Sequence, residues 1–107
     1  MGMDLKPINP NADAPRHSAD DKWSPNEAFW GRYNWSGWSY IIDRLNEWGV
    51  DTSTFAGCND GAVIPDEVCK QVADAIEKNA PNLDEEHCDW FLGHVLLWRT
   101  CGGYEQH

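Results

Sequence analysis

The sequence predicts a mainly α fold: a small three-helix domain with a central third helix and a long irregular N-terminal arm. Three observations predict it. Apolar residues recur at helical spacing in three stretches between residues 37 and 101. Glycine, proline or a capping residue stands where each stretch starts or stops. Residues 1–28 show no such period and are rich in Pro, Asn, Asp and Ala. A chain of 107 residues supports one core, so the domain is placed at 29–107 and the arm at 1–28. Seven tryptophans let a short chain build that core from few side chains.

Within the arm, residues 4–8 (DLKPI) can pack as one short extended piece. The first helix is expected over 37–48. Trp38, Ile41, Ile42, Leu45 and Trp48 form its stripe, Ser36 is a fair N-cap and Gly49 supplies the stop. Residues 50–64 read as a loop. Pro65 opens the second helix, where its missing N–H costs nothing. Val68, Val72 and Ile76 line that helix, with Cys69 and Ala73 beside them, and Asn79-Ala80-Pro81 ends it. Asp84 caps the third helix, and Glu85 and Glu86 sit at the positive end of its dipole. Leu83 and Cys88 stand where a hydrophobic staple belongs. Two apolar stripes follow, Phe91-Val95-Trp98 and Trp90-His94-Leu97-Cys101, before the stop at Gly102-Gly103. A helix with two apolar faces is expected at the centre.

Composition narrows the function. Formal net charge is −10, and residues 60–89 hold nine acids against Lys70 and Lys78. Such a balance argues against direct nucleic-acid binding, where affinity comes from Lys and Arg. It favours a basic partner. The longest apolar run, 90–98, is too short to span a membrane and is interrupted by His94. The start, MGMDLKPINP, lacks a basic region followed by an apolar one, so a cytoplasmic location is expected. Cys58, Cys69, Cys88 and Cys101 show no C-x-x-C pair, and reduced structural thiols are expected.

Tests for chemistry return no motif. In an EF-hand register that places Glu67 at position 12, Ala56 and Cys58 stand where oxygen ligands belong, so Asn59-Asp60-Gly61 reads as turn chemistry. His87, Cys88, His94 and Cys101 lack zinc-ligand spacing. There is no G-x-S-x-G elbow or Gly-rich phosphate loop. No catalytic residue, metal or cofactor is assigned, and the balance leans away from an enzyme, with an enzyme of unrecognised chemistry kept as a further alternative.

The aromatic stretch FWGRYNWSGWSYI, 29–41, divides. Trp38 belongs to the first helix stripe. Phe29, Trp30, Tyr33 and Trp35 precede that helix, with a partly exposed pair expected around Tyr33 and Trp35. Trp and Tyr of this kind cover a core, line a stacking pocket or anchor an interface.

MGMD at the start, YNWSGW at 33–38, NDG at 59–61 and GGY at 102–104 together resemble a scattered group of small hypothetical proteins of bacteria and their phages. The resemblance implies a bacterial or phage setting and carries over no catalytic residue. The leading functional expectation is a non-catalytic acidic protein that occupies a basic surface of another macromolecule, with Glu77, Asp84, Glu85, Glu86 and Asp89 as the contact residues. Its concrete form is a phage-borne inhibitor covering the nucleic-acid-binding surface of a host complex. The alternative is a binder of a base or ring, using Trp30, Tyr33 and Trp35 for stacking and Asn59 or Asp60 for polar contacts. The chain is expected as a monomer or a homodimer through exposed tryptophan.

Overall fold

A short strand that begins at the second residue organises the molecule. The computed structural model describes residues 2–9, 31–55 and 61–107. In chain order the elements are β1 (Gly2–Pro7), β2 (Gly31–Asn34), α1 (Trp35–Glu47), β3 (Val63–Ile64), α2 (Asp66–Asn79), a 3-10 turn (Ala80–Asn82), α3 (Glu85–Leu92), α4 (Val95–Thr100) and β4 (Tyr104–Gln106). The strands form one antiparallel sheet in the order β2-β1-β4-β3.

The fold therefore mixes α and β, in place of the expected mainly α domain. In β1 the alternation is plain: Met3 and Leu5 are buried, while Asp4 and Lys6 turn the other way. Met3 pairs with Tyr33 of β2, and Leu5 with Gln106 of β4. Pro7 costs the ladder to β4 nothing, because the neighbouring bonds on that side run through Asp4 and Ile8, which are in step with each other and out of step with Pro7. The extended piece expected at 4–8 is thus part of an internal strand, and the arm is not irregular at its start. Residues 10–30, with Phe29 and Trp30, lie outside the described residues, as do residues 56–60 with Cys58, Asn59 and Asp60.

Strand β2 runs straight into α1. The cap is Asn34 rather than Ser36: its Oδ1 accepts from the Gly37 N–H at 2.6 Å. Asn is as good an N-cap as Ser, so the helix starts where the strand ends. Trp38, Ile41 and Leu45 are buried, with Ile42 and Trp48 at the edges of the stripe. In α2, Cys69, Val72, Ala73 and Ile76 are buried. The expected single third helix is two. It breaks at Gly93-His94, where glycine contributes the weakest helix propensity short of proline. The break lets α4 pack on α2 while α3 leans on the 3-10 turn. Phe91 and Trp98 are buried as the pattern implied, yet Leu92 and Leu96 are exposed, so the stretch is not enclosed on every side.

Between sheet and helices lies an aromatic stack. Phe55 lies between Trp38 and Trp98, nearly parallel to both, with centroids at 5.4 and 6.0 Å. Trp98 meets Tyr104 of β4 edge to face at 5.0 Å. Gln106, fully buried, donates from Nε2 to the carbonyls of Thr54 and Ala62 and ties the preceding loop to the sheet. Among the described residues, no helix is long and apolar enough to cross a membrane.

Candidate functional site: a cleft between α1 and α3

At the junction of β2 and α1, a cleft of about 430 Å³ opens toward the start of α3. It is lined by Tyr33 and Asn34 of β2, Ser36, Gly37 and Tyr40 of α1, and Glu86, His87 and Trp90 of α3. Its volume falls in the range of ordinary ligand sites. The Asn34 cap turns the chain here, and Gly37 keeps the wall thin: its missing side chain leaves the Trp90 ring close to the helix backbone.

Tyr33 forms the floor. It is only 7% exposed, a correction to the expected partly exposed position. Its place opposite Met3 puts it on the inner face of the sheet, a consequence of strand alternation that a loop reading lacks. The hydroxyl accepts from Trp98 Nε1 at 2.9 Å and lies 3.3 Å from His94 Nδ1, to which its own hydrogen can be donated. Burial pushes the phenol well above its ordinary pKa, so it stays neutral. Trp35 is 37% exposed, in line with expectation, but it does not line the cleft.

The walls are Tyr40 and Trp90. Trp90 meets Tyr33 at 5.7 Å and 71°, and Tyr40 at 5.9 Å and 61°, so the rings form a corner rather than a parallel slot. On the other rim, His87 Nδ1 lies 2.5 Å from Asp84 Oδ1, and the same carboxylate caps α3. The His87 contact holds the Asp84 carboxyl below its usual pKa. Tyr40, His87 and Trp90 were not singled out as ring contacts from the sequence. The usable signal was that Tyr40 and Trp90 are aromatic residues lying off the most buried stripe of their helices.

The expected acidic contacts separate into two groups. Glu77 and Asp74 hold Arg99 of α4, at 2.7 and 3.0 Å, and so join α2 to α4. Both carboxylates raise the Arg99 pKa, Glu77 more than Asp74. Asp84 is engaged by His87. Glu85, Glu86 and Asp89 are exposed and form no ion pair with a described cation. Glu86 enters the cleft lining, and the other two share its helix.

Elsewhere, Cys69 and Cys101 are buried free thiols in contact. The Cys101 hydrogen bond and burial push the Cys69 thiol far up, away from thiolate reactivity. Among the described residues, no three His, Cys, Asp or Glu side chains converge on a metal site. No protein-family profile, curated protein or solved structure matches the chain.

Proposed function

We propose that the protein is a non-catalytic binding module that docks a basic surface of a macromolecular partner on the exposed face of α3. The observation that carries this is the contrast between the acids. Asp74 and Glu77 of α2 and Asp84 at the α3 cap are engaged within the chain, whereas Glu85, Glu86 and Asp89 cluster, exposed, on the helix that lines the cleft, with no described cation paired to them. Glu85 and Asp89 are one turn apart and repel, so an incoming Lys or Arg relieves a local cost. The net charge of −10 attracts such a partner over a Debye length, faster at low salt. A basic nucleic-acid-binding surface on a host complex is a partner of this kind, and the module would act by covering it.

The experiment compares two variants of equal net charge. Glu85→Gln with Asp89→Asn neutralises the α3 face; Asp43→Asn with Glu67→Gln neutralises exposed acids on α1 and α2. Capture of a bacterial partner from lysate is expected to fall for the first pair alone, and to fall for the unmodified protein as salt rises. Equal loss in both pairs would mean that charge acts without a defined face.

A second reading is favoured by one observation, the aromatic lining of the cleft: a small ring stacked on Trp90, with Asn34 or Ser36 as polar contacts. Of the stacking residues expected for this reading, Tyr33 lines the cleft, Trp35 does not, and Trp30 lies outside the described residues.

A further inference from the structure

We infer that the cleft is the seat of one basic side chain, lysine or arginine, belonging to the docked partner. This inference rests on the α3 face being the docking surface. Among the described residues Glu86 is the one carboxylate of the lining, and neither Lys nor Arg stands in it. The remaining lining is aromatic or neutral save for His87, whose Nδ1 is held by Asp84. Apolar walls with a single carboxylate at the rim match a long basic side chain, whose methylene stem is apolar and whose head is charged. The volume, about 430 Å³, holds a whole side chain rather than a bare ion.

Ring geometry separates this occupant from a flat heterocycle. A base held by stacking on both faces needs two parallel rings. Here Trp90 stands at 61° to Tyr40 and 71° to Tyr33. Walls that meet at a corner touch a rounded stem from two sides and offer a cation ring faces to lie against. The chain itself shows the chemistry at this spot: the Arg44 guanidinium carbon lies 5.4 Å from the centre of the Tyr40 ring. Since Arg44 uses part of Tyr40, Trp90 is left as the principal surface for an incoming cation. Glu85 and Asp89, on the same short helix as Glu86, add to the negative potential around it.

The test is an NMR titration of the isotope-labelled protein with three blocked amino acids and one ring compound. N-acetyl-lysine methylamide and N-acetyl-arginine methylamide carry the cation, N-acetyl-norleucine methylamide is the neutral analogue, and adenosine is the ring. The Gly37 amide and the Trp90 indole N–H report on the cleft. Saturable shifts are expected with a basic amide and not with norleucine or adenosine, and the tighter basic amide identifies the side chain. Glu86→Gln, an exposed change, should weaken that binding by roughly two- to fivefold, the range of an exposed ion pair, while Glu86→Asp keeps part of it. Norleucine or adenosine shifting the same signals as strongly would overturn the inference, as would unchanged affinity in Glu86→Gln. A silent cleft with partner capture still lost in the Glu85/Asp89 variant sinks the pocket and leaves the docking face standing. Cation binding in the cleft with capture unaffected sinks the docking face instead, and with it the assignment of the cation to a docked partner.

Discussion

Tyr33 shows how one side chain joins core and cleft. Its ring floors the cleft, and its hydroxyl receives the Trp98 indole N–H inside the core. Replacing it by phenylalanine keeps the ring and removes the oxygen. Trp98 Nε1 then loses its acceptor in a buried place, a loss of about 1–3 kcal/mol, measurable by urea denaturation. An unchanged midpoint would show that water reaches the indole. Trp98 itself touches Phe55 and Tyr104, and Trp98→Ala should cost about 3–5 kcal/mol, the usual effect of truncating a buried large aromatic. The second of these positions was legible in the sequence, because Trp98 lies on a helical stripe with Phe91. The burial of Tyr33 was not, because a strand of four residues offers too few alternations to separate from a glycine-bearing loop.

At the scale of elements, the helical stripes of α1 and α2 were readable because apolar spacing repeats over three turns or more. The break between α3 and α4 was not. The apolar pattern runs through Gly93 without a change of phase, and the low helix propensity of that one residue does not announce a break until α4 packs on α2 and α3 on the 3-10 turn. Gly93 has ordinary helical dihedrals, and a Cβ there would meet the Asp89 carbonyl at normal contact distance. Gly93→Ala is therefore expected to be accepted and to stabilise by up to about 1 kcal/mol through helix propensity, seen as a higher denaturation midpoint. Destabilisation would instead show that the join needs glycine. The cap of α1 was read two residues late, at Ser36, because Asn34 and Ser36 are both good caps and the sequence does not show where β2 ends. The cleft depends on that junction, so its position was hidden with it.

For the whole molecule, the chain's first strand is internal to the sheet and pairs with segments far along the sequence on both sides. Strands of two and three residues, β3 and β4, carry no periodic signal, and only long-range pairing defines them. The acidic excess, by contrast, was plain from composition, and the structure distinguishes acids that join elements from acids that face outward. Glu77 works within the fold, while Glu85, Glu86 and Asp89 are exposed and pair with no described cation. The central claim is that these outward carboxylates steer and dock a basic partner. Its most direct test is the association rate constant of the captured partner, measured against ionic strength for the unmodified protein and for the two charge-matched double variants. The account predicts that Glu85→Gln with Asp89→Asn slows association and flattens its salt dependence, while Asp43→Asn with Glu67→Gln leaves both nearly unchanged. Identical rates and identical salt slopes for the two double variants would contradict it.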